Sequence, residues 1–362
     1  MSKPIRWGVL GTGTVASQFI AGLKAVPDAQ LWAIGSRSLD KAKSFAQMFQ
    51  APKAYGNYEQ LVQDPDIDVV YIATPQTRHR ADSILCLSAG KAVLCEKPFT
   101  VTSQEARDVI AVATQQQVFC MEAMWMRFMP LVQEVRRLIR QGEIGEVRLL
   151  TADFGYPTEF DPNNRFFNPS LGGGALLDRG VYPLSLAFLL LGKPDQVTGT
   201  PCIGETGVDE QSAMVLRYDS GAMAVLHSTL RTYSSNEAVI TGTRGKIVIK
   251  APFYKPDHIT VTRFSNRPVV VTSQPQTAAV GWKSSMVGKL KQNPWLKSLA
   301  KLRKENTKTI YQGLLGNGYN YEAAEVVKCL QAGKLESDLM PLAETVEIME
   351  TMERLLTHWH QG

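Results

Sequence analysis

Lys97, Asp178 and Tyr182 are the residues with which this sequence could move a proton. Lys97 stands in Glu96-Lys97-Pro98, directly after the apolar run Lys91-Ala92-Val93-Leu94-Cys95, at the end of what reads as a buried strand. An ammonium there can hydrogen-bond a substrate hydroxyl and lower the pKa of a neighbouring proton acceptor. Asp178 and Tyr182 follow the run Gly172-Gly173-Gly174-Ala175-Leu176-Leu177 and lie four apart, so on a helix they share one face. Tyr182 could accept an alcohol proton if Lys97 lies near, and Asp178 could bind a second hydroxyl. Plainer roles stay open for each: a lysine reaching solvent, a ring anchored in the core, an aspartate capping a helix.

Hydride chemistry needs a carrier, and the N-terminus offers a place for one. The apolar run Trp7 to Leu10 leads into Gly11-Thr12-Gly13-Thr14-Val15-Ala16, after which Phe19, Ile20 and Leu23 fall at helical spacing. Gly11 permits a tight turn, Gly13 lets the backbone approach a pyrophosphate, and Ala16 keeps the helix close to the sheet. The free N–H groups and dipole of that helix would face the phosphate charge. A second strand ends Gly35-Ser36-Arg37, with Lys41 one turn later and no carboxylate to hold a ribose diol. Ser36, Arg37 and Lys41 can instead neutralise a 2′-phosphate, so NADP is expected rather than NAD. The alternative is that Arg37 and Lys41 merely cap and solvate a helix.

The elements that must position these groups alternate in the first third of the chain. Strand patterns at 31–35, 69–73, 91–95 and 118–121 are separated by helical patterns at 39–49, 78–89 and 104–115. They predict an α/β Rossmann domain, a doubly wound and mostly parallel sheet with ligands at the carboxyl ends of its strands. After a helix at 131–141, segments at 146–154, 213–218, 223–230, 238–241, 246–250 and 258–264 are rich in Val, Ile, Thr and Tyr. That density predicts an α+β domain with a large, mostly antiparallel open sheet. A helix from Asp178 to Leu191 sits early in it, and helices at 321–332 and 342–359 close the chain. The expected division is a dinucleotide-binding domain over 1–122 and a substrate-binding domain over 123–362. The closing helices are free to pack back on the first domain. A polar, basic excursion over 268–318 interrupts the second.

The 362 residues are 44% hydrophobic and 20% charged, enough for about two domains with a core each. The net charge of +5 is local: between Gly281 and Lys308 lie eight Lys and Arg against Glu305 alone, which leaves the remainder slightly acidic. A general nucleic-acid-binding face is thereby excluded. Val287, Leu290, Trp295, Leu296, Leu299 and Leu302 interleave with those lysines. The interval reads as a solvated insertion, with a lid, a partner site or an anionic membrane surface as alternatives. No apolar run, Leu184 to Leu191 included, is long enough for a transmembrane segment. Met1 to Pro4 pass straight into a strand, so no signal peptide is expected. Cys86, Cys95, Cys120, Cys202 and Cys329 show no ligand spacing and read as buried, reduced thiols of a cytoplasmic protein, with no metal site.

Taken together, these stretches resemble the Gfo/Idh/MocA family of oxidoreductases nearly end to end. The likeness runs through Gly11-x-Gly13-x-x-Ala16, Ser36-Arg37, Thr74-Pro75 with His79, Glu96-Lys97-Pro98, Met121 to Phe128, Gly173 to Asp178 and Gly318-Tyr319-x-Tyr321-Glu322. Within the family the chain is most similar to the group holding dihydrodiol dehydrogenases and NADP-dependent D-xylose 1-dehydrogenases. The resemblance implies that Lys97 is the catalytic lysine and Tyr182 the proton-transfer residue, with Asp178, Trp125 and Arg127 at the substrate. It implies that Thr12, Thr14, Val15, Thr74, Pro75, His79, Glu96 and Lys97 join the glycine turn in holding the cofactor. Gln76 stands where relatives often carry Asn. The implied reaction is hydride transfer between NADP and a sugar, cyclic polyol or dihydrodiol. The alternatives are a carbonyl or imine reductase of the same family and a non-catalytic NADP-binding sensor. A homodimer through the second sheet is implied as well.

Overall fold

Two sheets organise the chain in the computed structural model, which describes residues 3–264 and 306–359. The first contains β1 (Ile5–Leu10), β2 (Ala29–Gly35), β3 (Lys53–Tyr55), β4 (Val69–Ile72), β5 (Ala92–Glu96) and β6 (Cys120–Ala123). These are parallel and ordered β3-β2-β1-β4-β5-β6. Every residue of β4 and β5 is buried, which is why both read as unbroken apolar runs. Helices α1 (Thr14–Leu23), α2 (Leu39–Phe49), α3 (Tyr58–Val62), α4 (His79–Ser88) and α5 (Ser103–Gln116) cross between strands. The strand order reverses between β1 and β4, and the crevice that opens there is the natural ligand position.

Local chemistry sets several of these boundaries. Ser38 accepts the Lys41 N–H at 3.4 Å to start α2, and Thr102 with Glu105 forms a capping box at α5, worth about 1 kcal/mol. The last strand starts two residues later than its sequence pattern. Gln117 adopts a left-handed conformation and Val118 N–H donates to Ala113 C=O, so Val118 finishes α5 instead of opening β6. β3 and α3, of three and five residues, are too short to show a period, and the sequence reading lacks them.

The second sheet follows α6 (Pro130–Arg140). Its strands are β7 (Val147–Gly155), β8 (Gln196–Ile203), β9 (Asp209–Arg217), β10 (Met223–Thr229), β11 (Ala238–Gly242), β12 (Gly245–Ile249), β13 (His258–Arg263) and β14 (Asn306–Tyr311). They are ordered β14-β13-β12-β11-β7-β10-β9-β8, and only the β7–β10 pair is parallel. β8 contains Gly199 and Pro201, which hide it in the sequence; it is an edge strand, where proline is tolerated. β14 corrects the expected excursion over 268–318, since Asn306–Tyr311 pairs with His258–Arg263 as the other edge. Most of the basic interval 281–308 lies outside the described residues.

One face of this sheet is covered by α7 (Val181–Leu191), and along β9 and β10 buried residues alternate with exposed ones on the other. The expected helix from Asp178 is modified: Leu176–Gly180 form a π-helical turn, and the α-helix begins at Val181. The stretch Pro169–Leu191 has the length and apolarity of a membrane span, but 78% of its 18-residue apolar window is buried inside the fold. Of the closing helices, α8 (Tyr319–Gln331) packs on α1, and α9 (Leu342–Trp359) lies against α5, α7 and β8. Cys86, Cys95, Cys120 and Cys329 are buried and free; Cys202, expected to be buried, is exposed on β8.

Candidate active site

A cavity of about 880 Å³ opens where β1 and β4 diverge. Its floor is the glycine turn. Gly11 has φ +107°, and a Cβ there would meet the Ala73 carbonyl oxygen at 2.5 Å, so the turn needs glycine. A Cβ on Gly13 would meet nothing and would project into open space, which is the room a close-lying phosphate needs. No side chain caps α1 and no acidic residue occupies its first turn, so its leading N–H groups are free to receive an anion. These features fit a dinucleotide pyrophosphate.

At the outer end the cavity is lined by Ser36, Arg37, Ser38, Lys41 and Tyr58. Arg37 and Lys41 are exposed, and neither forms an ion pair with a described residue. Thr74, Pro75, Gln76 and His79 form the opposite wall. Thr74 Oγ1 donates to Asp82 at 2.8 Å. His79 is buried between two carbonyl oxygens, Pro98 O at 2.9 Å and Thr74 O at 3.0 Å, and thereby ties the loop after β4 to the loop after β5. Burial lowers its pKa, so the ring is neutral and donates to one carbonyl at a time.

At the inner end the charges are paired, with Lys97 and Asp178 half-buried and Arg165 exposed. Lys97 Nζ donates to Asp178 O at 2.8 Å and to Asp178 Oδ1 at 3.3 Å, and stands 4.9 Å from the Tyr182 ring centroid. Arg165 Nη1 donates to the same Oδ1 at 2.9 Å. Burial alone would raise Asp178, but Lys97 and then Arg165 hold its carboxyl down at about 2. Beneath Lys97, Glu96 accepts the Tyr71 hydroxyl and the Lys97 N–H. Burial pushes the Glu96 carboxyl up. Glu322, fully buried with neither oxygen hydrogen-bonded among the described residues, is pushed further up by burial and then by Glu96.

Tyr182 Oη accepts the Trp125 Nε1–H at 3.0 Å. Its pKa is raised well above the usual phenol value, by burial first and then by Tyr319 and Glu96. The lowering by Lys97 that the sequence suggested is therefore absent from the resting site, because the ammonium faces the ring and bonds Asp178 instead of the phenol oxygen. Around Tyr182 stand Phe154 at 5.1 Å and Tyr254 at 5.6 Å, with Phe154 and Tyr254 stacked on each other at 4.6 Å. Trp125 stacks on Tyr319 at 5.0 Å.

Arg127 requires correction. It is 0% exposed: Nε and Nη2 donate to Ser185 Oγ and O, Nη1 donates to Leu339 O, and the guanidinium pairs with Glu344. All three of its nitrogens are engaged inside the fold, so it joins the turn at 125–128 to α7 and α9 instead of lining the cavity. The arginine at the inner end of the cavity is Arg165, on a loop whose lack of period hid it. Leu171 lies beside it, and the Gln76 amide donates to Gly172 O, so this loop closes against the first sheet.

A parallel sheet with a glycine-turn anion site at its switch point, and a Lys–Asp–Tyr cluster beside it, defines an oxidoreductase of nicotinamide dinucleotides. Residues 5–124 match the oxidoreductase family with an NAD-binding Rossmann fold, and residues 132–248 match the GFO/IDH/MocA C-terminal domain. The chain is 36% identical to trans-1,2-dihydrobenzene-1,2-diol dehydrogenase of Xenopus laevis over 97% of each chain. It is 33% identical to the Homo sapiens enzyme of that name over 97% of this chain and 96% of the relative. Aldose–aldose oxidoreductase from Caulobacter crescentus, complexed with glycerol, superposes with a TM-score of 0.80 at 21% identity, covering 99% of this chain and 98% of that one. The chain belongs to the Gfo/Idh/MocA family and is an NAD(P)-dependent oxidoreductase.

Proposed function

We propose that the protein is an NADP-dependent dehydrogenase acting on a secondary alcohol or hemiacetal of a sugar, cyclic polyol or trans-dihydrodiol. The observation that carries this reading is Lys97, held by Asp178 against the Tyr182 ring at the inner end of a cavity whose outer end is cationic. NADP, when bound, supplies the hydride acceptor or donor. Tyr182 exchanges the hydroxyl proton at Oη, and Trp125 N–H steadies the oxygen while it is a phenolate. Lys97 brings positive charge beside the substrate oxygen, and Asp178, ionised, accepts from a neighbouring hydroxyl. Phe154 and Tyr254 give a ring-shaped substrate flat apolar walls and keep water out. The name shared by the relatives of Xenopus laevis and Homo sapiens favours a cyclic trans-diol.

One observation favours the reverse direction as a second reading. Burial keeps the resting Tyr182 phenol neutral, the form that donates a proton to an alkoxide as a carbonyl is reduced. A panel of aldoses, inositols and cyclic trans-diols with NADP+, and of the matching ketones with NADPH, tests both. Turnover on one of them, with NADP preferred over NAD, supports the reading. Tight NADP binding without turnover in either direction overturns it in favour of a sensor. We place a homodimer contact on the open face of the second sheet, where Leu149, Val215, Met223 and Val225 are exposed; sedimentation velocity checks it. Four buried free thiols suit a cytoplasmic setting.

A further inference from the structure

Asp209 takes no part in the chemistry above, yet it sits where the helix that carries that chemistry begins. It opens β9, is 1% exposed, and its Oδ2 accepts the Leu176 N–H at 2.8 Å. Leu176 starts the π-helical turn that holds Asp178, and α7 follows directly with Tyr182 in its first turn. N–H groups at such a start lack partners inside the helix and favour an anionic acceptor. The glycine run makes room for that acceptor. Gly174 has φ +126°, and a Cβ on it would run into Asp209 Oδ1. Oδ1 itself has no hydrogen-bond partner among the described residues. Keeping an incompletely satisfied carboxyl in the interior is costly, and the bond to Leu176 is what this one achieves.

We propose that Asp209 is a positioning residue for the reaction: by holding Leu176 N–H it fixes the turn that presents Asp178 to Lys97 and Tyr182 to the substrate. The proposal rests on Lys97, Asp178 and Tyr182 being the reacting groups. Burial pushes the Asp209 carboxyl up to about 7, against the Leu176 N–H and the nearby Ser212 hydroxyl, which favour its charged form. The charged groups on the elements packed around it are engaged elsewhere. Arg179, on the same turn, donates to Tyr156 O, Thr229 O and Thr158 Oγ1. Arg231, just past β10, pairs with Glu210, and Asp178 is held by Lys97 and Arg165. His227 of β10 is exposed, and across from Asp209 β8 offers the uncharged Ile203 and Cys202. The anchor therefore passes from neutral to charged as pH rises through about 7.

The test compares Asp209→Asn and Asp209→Ala with wild type for NADP dissociation constant, melting temperature, and kcat and KM from about pH 5.5 to 9. The substrate is the fastest in the panel above. Asparagine keeps the shape and an acceptor oxygen but loses the charge. It is expected to lower kcat about tenfold at high pH, leave NADP affinity within about twofold, and remove the rise in kcat through neutral pH that the proposal predicts for wild type. Alanine is expected to lower kcat about 100-fold. An Asp209→Asn enzyme with wild-type kcat and an unchanged acid limb overturns the proposal. So does loss of melting temperature and NADP binding with kcat per folded molecule intact, which would make Asp209 a residue of the fold alone. Tyr182→Phe, run alongside, separates the two claims. If it loses activity while Asp209→Asn does not, only the positioning role fails; if it keeps full kcat, the assignment of reacting groups has failed and the proposal with it.

Discussion

At the outer end of the cavity Arg37 and Lys41 are exposed without an ion pair to any described residue, just after β2 and in the first turn of α2. At the inner end Lys97 is locked to Asp178 and Arg165 from a distant part of the chain, over a buried Glu96. The outer end is a local motif left open for an anion, and the protein spends little structure on it. The inner end is a tertiary assembly in which Lys97, Asp178 and Arg165 already answer one another. Changes at the outer end should therefore alter binding, and changes at the inner end should alter rate or stability.

The largest effect separates these regions by rate. Lys97→Met removes the ammonium that joins Asp178 to the Tyr182 ring and is expected to lower kcat by about 10³ while NADP affinity changes less than about threefold. Isothermal titration beside steady-state rates checks this; a matching loss of affinity would erase the distinction between the two ends. Next comes Arg127, which looks like a site residue in the sequence and is a strut in the fold. Arg127→Ala removes a fully buried guanidinium from Ser185, Leu339 and half-buried Glu344 and should cost about 3–5 kcal/mol in urea unfolding. Arg165→Ala, by contrast, should leave the unfolding midpoint at neutral pH nearly unchanged.

Acid unfolding sharpens that contrast. Asp178, held down at about 2, contributes stability that is present above its unfolded pKa of about 3.9 and is lost as pH falls through about 2. Removing Arg165 lets this carboxyl rise toward its unfolded value, so the acid-dependent loss should be smaller and complete at higher pH. Urea midpoints measured from about pH 5 down to 2 follow it. At the outer end, Arg37→Ala should weaken NADP about 10- to 100-fold and NAD hardly at all, with the difference shrinking in high salt. The smallest effect is expected from Ser38→Ala, which removes the cap of α2 and should cost about 1 kcal/mol of stability with NADP preference kept.

The same division explains what the sequence could reveal. Gly11, Gly13, Ser36, Arg37 and Thr74 are adjacent to strands whose buried, unbroken apolar character is a local property, so both fold and cofactor turn were legible. β8 and β14 were not, because an edge strand with Gly199 and Pro201, or with exposed threonines, lacks the period of a buried one. Arg127 and Arg165 were exchanged for a related reason. Residue type says that an arginine can bind a hydroxyl, but only packing decides which one has its donors consumed by Ser185, Leu339 and Glu344. The pKa of Tyr182 was likewise beyond the sequence, since burial and the direction of the Lys97 ammonium are tertiary facts.

The central claim, that Tyr182 exchanges the proton while the far end of the cavity holds the cofactor, is tested most directly by single-turnover hydride transfer in Tyr182→Phe, followed by NADPH absorbance. The account predicts a transfer rate lowered at least about 100-fold at every pH, with NADP affinity unchanged. Transfer at the wild-type rate would contradict it.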